Sequence, residues 1–101
     1  MNISIDELKA KLDNGSNNIV IDVRETWEYE EFNINADNIP LGELSNAIEK
    51  YSDNKEDEII LHCKSGGRSG MAQQLMIEAG FKNVKNLTGG MVAWQEKFSN
   101  A

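Results

Sequence analysis

Ile19-Val20-Ile21-Asp22-Val23 is a nearly unbroken β-branched run, a composition that suits a strand covered on both faces better than one half open to water. Such a strand belongs at the centre of a sheet, and a sheet buried on both sides needs helices above and below it. A second apolar run, Ile59-Ile60-Leu61, predicts another strand, and Val84–Leu87 a further short one. Asp37-Asn38-Ile39-Pro40 reads as a brief extended piece, because proline biases its predecessor towards extended geometry.

Helical periods separate these strands. Ser4 and Glu7 have capping-box spacing, and Ile5, Leu8 and Leu12 share one face until Asn14-Gly15. Glu25 to Phe32 carries Trp27, Tyr29 and Phe32 among acids, a helix with a less clean apolar face. Leu41, Leu44, Ile48 and Tyr51 keep a helical period, as do Met71, Ala72, Leu75, Met76 and Ala79 before Gly80. A last helix carries Ala93, Trp94 and Phe98. Alternation of this kind calls for an α/β fold, a central parallel sheet of about five strands with helices on both faces. In such sheets the site lies at the carboxyl ends of the strands.

The chain is 101 residues long with 40% hydrophobic content and no linker or repeat, which predicts one domain over residues 1–101. A formal charge of −7 provides no electrostatic footprint for nucleic acid or an anionic membrane surface. Scattered acids such as Glu28, Glu30, Glu31, Glu56, Asp57 and Glu58 read as a solvated face. One cysteine excludes an internal disulfide, and one histidine beside it leaves no ligand cluster, so no metal is expected. The amino-terminal residues lack a basic start and an apolar signal core, and no apolar run could span a bilayer; a cytoplasmic location and a monomer are the expectations.

The chemistry concentrates in His62-Cys63-Lys64-Ser65-Gly66-Gly67-Arg68-Ser69. An apolar strand runs into the only cysteine and then into a glycine-rich turn that opens a helix, which gathers unpaired backbone N–H groups around one point. Gly66 and Gly67 allow those groups to curl inward as an anion nest. Lys64 and Arg68 add positive charge in an otherwise acidic chain and read as guides for an anionic substrate, while Ser69 reads as a helix cap that orders the loop. This is a setting that depresses a thiol pKa, so Cys63 is the candidate nucleophile. His62, adjacent on a strand, points to the opposite face and is expected to be a packed histidine rather than a general base. The nucleophile must then be ionised by its cradle alone, and attack on sulfur suits it, since no proton has to move.

At this point the chain resembles the single-domain rhodanese-like sulfurtransferases over nearly its whole length. The resemblance rests on Ile21-Asp22-Val23-Arg24-Glu25 with Trp27-Glu28-Tyr29, on Asn38-Ile39-Pro40-Leu41-Gly42-Glu43-Leu44, on Cys63 to Ser69, and on Gly80-Phe81 through Val84, Leu87, Gly89-Gly90 and Trp94. It implies a parallel sheet sandwiched by helices, no separate cofactor, a persulfide on Cys63, and Lys64, Ser65, Gly66, Gly67, Arg68 and Ser69 around the outer sulfur. Asp22 and Arg24 match the family's Asp-Val-Arg and are read as auxiliary residues beneath the loop. Trp94 and Gly89-Gly90 are read as core and turn, and Met71 and Met76 as packing. Where the family often has Gly-His-Ile-x-Gly-Ala, this chain has Glu31-Phe32-Asn33-Ile34-Asn35-Ala36-Asp37, without the histidine.

The expected reaction is a two-step transfer in which Cys63 takes the outer sulfur of thiosulfate or a related donor and passes it to cyanide or a thiol. A protein thiol or persulfide is a further candidate partner. Two other readings compete. Cysteine phosphatases and arsenate reductases also place a thiolate in a basic loop before a helix, but they put five residues between Cys and Arg, where this chain has four, Lys64 to Gly67. A noncatalytic persulfide carrier or protein-interaction module is the other.

Overall fold

The computed structural model describes residues 1–15 and 17–98. Its five strands are β1 (Asn2–Ile3), β2 (Ile19–Asp22), β3 (Asp37–Asn38), β4 (Glu58–His62) and β5 (Asn83–Leu87). Between and after them lie α1 (Ile5–Asp13), α2 (Thr26–Glu31), α3 (Leu44–Lys50), α4 (Gly67–Glu78) and α5 (Gly90–Phe98), with short 3-10 turns at Leu41–Glu43 and Ser52–Asn54. All neighbouring strands run parallel in the order β1-β5-β4-β2-β3. The expected α/β sandwich is therefore present. The middle position belongs to β4, while β2, the strand the β-branched run places at the centre, sits between β4 and β3.

Alternation along β2 and β4 sorts side chains into two cores. Ile21, Val23, Ile59, Leu61 and Cys63 pack on one face with Leu44 and Ala47 of α3 and Ala72 and Met76 of α4. Val20 and Ile60 face the other way, against Leu8 of α1 and Met91 and Trp94 of α5. Each fully buried Ile or Leu contributes roughly 1.5–3 kcal/mol by leaving water, which is why both strands read as continuous apolar runs.

The element ends follow local chemistry. Ser4 caps α1 in the expected capping box, its hydroxyl accepting from the Glu7 N–H while Glu7 accepts from the Ser4 N–H. Gly80, in the left-handed region at φ 103°, follows α4 and turns the chain towards β5. Three expectations need correction. Met71 is 60% exposed and Leu75 is exposed as well, so the apolar stripe of α4 is carried by Ala72 and Met76. Strand β1 escaped the pattern, because two residues are too short to display a period; Ile3 pairs with Leu87 and is buried all the same. Ser69 lies inside the first turn of α4, whose capping position is Gly66.

Among the described residues no helix is long and apolar enough to cross a membrane.

Candidate functional site

Strand β4 ends at His62, and Cys63 is the next residue, at the carboxyl edge of the sheet where parallel α/β folds place their sites. Gly66, at φ 112°, turns the chain into α4, and that conformation is open to glycine at little cost. The turn brings the Gly66 N–H to 3.1 Å from Cys63 Sγ, and the Ser69 N–H and hydroxyl each to 3.4 Å. Cys63 is only 1% exposed, yet its sulfur is surrounded by donors as well as hydrocarbon. Burial pushes the thiol up; the Ser69 hydroxyl and the Ser69, Gly66 and Ser65 N–H groups outweigh it, and the thiol is held below its ordinary value. The expected cradle forms.

Helix α5 holds this loop from behind. The Met91 N–H donates to the Cys63 carbonyl and the Val92 N–H to the Lys64 carbonyl, both at 2.9 Å. A Cβ at Gly90, which sits at φ 56°, would lie 2.6 Å from both carbonyl oxygens. The Gly89-Gly90 pair, read from sequence as a turn, is also the surface on which the loop rests.

The basic residues are arranged differently from the expectation. Arg68 makes a bidentate pair with Glu28 on α2, Nη1 to Oε1 at 2.6 Å and Nη2 to Oε2 at 2.9 Å. Glu28 is 9% exposed, and its Oε1 also accepts the Glu25 N–H at 2.9 Å. The Arg68 hydrogen bonds hold its carboxyl down at about 2 against the opposing effect of burial. Glu28 is therefore a buried structural partner of the loop, not part of a solvated face. Lys64 is exposed and has no ionic partner among the described residues. Ser65 and Gly67 are exposed on the rim.

Asp22 and Arg24 form a second pair, and this one is buried. Arg24 Nε lies 3.0 and 3.1 Å from the two Asp22 oxygens and Nη2 lies 2.7 Å from Oδ2, while Nη2 also donates to the Phe32 carbonyl at 2.6 Å. They tie β2 to the end of α2 rather than touching the sulfur. His62 is fully buried, and burial brings its pKa down to about 4 against the attraction of Asp22, whose Oδ2 is 3.8 Å away. Neither ring nitrogen has a hydrogen-bond partner. It is a neutral packed ring, as the strand alternation requires.

Asn86 of β5 is a site residue that the sequence reading missed. Its Nδ2 donates to the Gly66 carbonyl at 3.1 Å, which leaves Oδ1 to accept the Ser69 hydroxyl at 2.5 Å. Gly70 makes room for it, since a Cβ there would touch Nδ2 at 3.4 Å. No local signal singles it out, since β5 reads Asn83-Val84-Lys85-Asn86-Leu87 and Asn86 is one of three polar residues in it. Glu28 had a signal: it stands three residues after Glu25 at capping-box spacing.

The Ser69 hydroxyl has one proton and two acceptors, Asn86 Oδ1 and the sulfur. Ser69→Ala removes the sulfur's side-chain donor and leaves its backbone donors in place. The expected result is a thiol that ionises at higher pH, so that alkylation of Cys63 by iodoacetamide at neutral pH slows roughly tenfold, the worth of one hydrogen bond to a charged group. A pH–rate profile superimposable on that of the parent would contradict the assignment.

The family profile described as the Rhodanese-like domain matches residues 4–97. YtwF of Bacillus subtilis (strain 168), a candidate sulfurtransferase, is 37% identical over 94 residues, covering 92% of this chain and 88% of its own. YrkF of the same organism, a candidate sulfur carrier protein, is 41% identical over 96 residues, and this chain, covered to 94%, spans about half of its length, 51%. The human single-domain sulfurtransferase TSTD1 superposes with a TM-score of 0.83 at 29% identity, with 97% of each chain covered.

Proposed function

The chain belongs to the family of rhodanese-like domains, and from that premise we propose that it is a sulfurtransferase working through a persulfide on Cys63. The observation that carries this reading is a lowered thiol that accepts N–H hydrogen bonds at the start of α4, with no general base beside it among the described residues. His62 is neutral, buried and on the far side of the strand. Chemistry that requires a proton to be removed from the nucleophile is poorly served by such a site; displacement at sulfur by a preformed thiolate needs none.

In the first step the Cys63 thiolate attacks the outer sulfur of thiosulfate or a related donor. The donor's S–S bond breaks, sulfite leaves with the electron pair, and the terminal sulfur of the new persulfide takes over the negative charge. The N–H groups of Ser65, Gly66 and Ser69 stabilise charge on the cysteine sulfur without having to reorganise. In the second step an acceptor, cyanide in an assay or a thiol, attacks the terminal sulfur and the thiolate returns, which gives ping-pong kinetics.

A phosphatase needs the loop arginine for the phosphate, and here Arg68 is committed to Glu28. Carriage of sulfur to a protein partner is the second reading, favoured by the similarity to YrkF.

The test is intact-mass analysis after incubation with thiosulfate, followed by addition of cyanide. We expect one added sulfur atom, mapped by fragmentation to Cys63 and removed by cyanide with formation of thiocyanate. An unchanged mass under conditions in which Cys63 remains alkylatable would overturn the proposal.

A further inference from the structure

Beside the loop, between α2 and α5, lies a cleft of about 210 Å³ whose lining includes Trp27, Phe32, Lys64, Met91 and Val92. Lys64 directly follows Cys63, and Glu28, which holds Arg68, lines the same cleft, so the cleft borders the loop at Lys64. Two independent features distinguish it. The first is charge. Of the two loop cations, Arg68 is neutralised by Glu28, whose other hydrogen bond to the Glu25 N–H fixes the pair in place. Arg24, also in the lining, is paired with Asp22, so among the described residues Lys64 is the lining cation without an ionic partner, and Glu31, exposed on α2, adds negative charge. A single available positive charge matches a monoanion better than a dianion. The second is surface chemistry. Trp27 is 62% exposed and Val92 is 42% exposed, both in the wall of the cleft, and an inorganic sulfite group would leave this apolar area and most of the volume unused.

We propose that the cleft seats the organic group of a sulfane-sulfur donor carrying one negative charge, and that the Glu28–Arg68 pair disfavours the thiosulfate dianion. The assignment rests on the sulfur-transfer reading and narrows its donor. With a thiosulfonate, R–SO₂–S⁻, the Cys63 thiolate attacks the outer sulfur, the bond between the two donor sulfurs breaks, and the sulfinate R–SO₂⁻ leaves with the electron pair. Two negative charges enter the step and two leave it, no proton moves, and no oxidant or reductant is consumed. The R group lies against Trp27 and Val92, and Lys64 faces the single charge.

The experiment compares second-order rate constants for sulfur loading of Cys63, by intact mass, from benzenethiosulfonate and from thiosulfate. Trp27→Ala, at an exposed position, is expected to slow loading from benzenethiosulfonate about fivefold more than loading from thiosulfate, the worth of one aromatic contact. Glu28→Gln frees the Arg68 charge, whose field acts once on a monoanion and twice on a dianion. Loading is expected to rise about threefold for benzenethiosulfonate and about tenfold for thiosulfate. In the parent protein, thiosulfate loading should hold steady or rise with ionic strength, because screening relieves repulsion rather than attraction.

Equal effects of Trp27→Ala on the two donors, an unchanged donor ratio in folded Glu28→Gln, or thiosulfate loading that falls with salt would each overturn the proposal. If Glu28→Gln does not fold, Trp27→Ala and the salt series decide, since both retain the native loop. A parent protein that loads from neither donor defeats the sulfur-transfer reading itself; one that loads readily without this discrimination defeats only the donor class.

Discussion

Cys63→Ser is expected to lose sulfur uptake altogether, a fall of at least about 10⁴-fold, or roughly 5.5 kcal/mol of transition-state stabilisation, while the fold stays within about 1 kcal/mol of the parent. The size of the effect follows from what the cradle can and cannot do. The Gly66 and Ser69 donors that stabilise a thiolate at 3.1 and 3.4 Å remain in place around a hydroxyl. They cannot ionise it near neutral pH, and oxygen is a poor nucleophile towards sulfur. No other thiol exists in the chain to take over, because Cys63 is its only cysteine. The measurement is intact mass after exposure to donor, with a denaturant midpoint to confirm folding. A sulfur added to the serine variant would place the uptake on another group and remove Cys63 from the mechanism.

The second large effect is expected at Gly90. Alanine there must adopt φ near 56°, a left-handed conformation that costs an L-residue about 1–2 kcal/mol. Its Cβ would also approach the Cys63 and Lys64 carbonyl oxygens to 2.6 Å and the Lys64 carbonyl carbon to 2.7 Å. These are backbone atoms and cannot swing aside as a flexible side chain would. Either α5 retreats and loses the Met91 and Val92 hydrogen bonds, or the Cys63 loop moves. With overpacking at about 1–3 kcal/mol, the total loss is expected to be about 3 kcal/mol, which lowers the melting temperature by about 15 °C in a domain of this size. Sulfur uptake should fall with it, because the displaced element carries Cys63. Gly15→Ala supplies the comparison: φ there is 72°, but among the described residues no atom lies within 4 Å of the added Cβ. That variant should show the conformational cost alone. Equal losses in the two variants would mean that α5 does not press on the loop.

The legible part of the molecule was the part written in local pattern. The β-branched run of β2, the Ser4–Glu7 capping box and the periods of α1 and α5 each identify their element without reference to the rest of the chain. The Cys63 loop was equally readable, since a strand, a glycine turn and a helix start follow one another within a few residues, and such a turn brings N–H groups to the sulfur. Where pattern was weak, the reading failed. Strand β1 is two residues long, and the exposed Met71 and Leu75 lie next to Ala72 and Met76, the residues that define the buried stripe.

The electrostatic reading of the loop failed for a different reason. Sequence places Arg68 near Cys63 and counts Glu28 among surface acids; folding brings Arg68 and Glu28 together across 40 residues as a part-buried bidentate pair. Asn86 reaches Gly66 from 20 residues away, and Gly90 meets the Cys63 and Lys64 carbonyls from a different helix. Sequence by itself determined the alternation of strands and helices after β1, the parallel sheet and the candidate nucleophile, because hydrophobic period and turn chemistry act between near neighbours. Only the tertiary structure decided which loop cation is free, what holds the Ser69 hydroxyl and what supports the loop. Those pairings depend on how α2, β5 and α5 converge at one edge of the sheet, and contacts between distant segments carry no periodic signature along the chain.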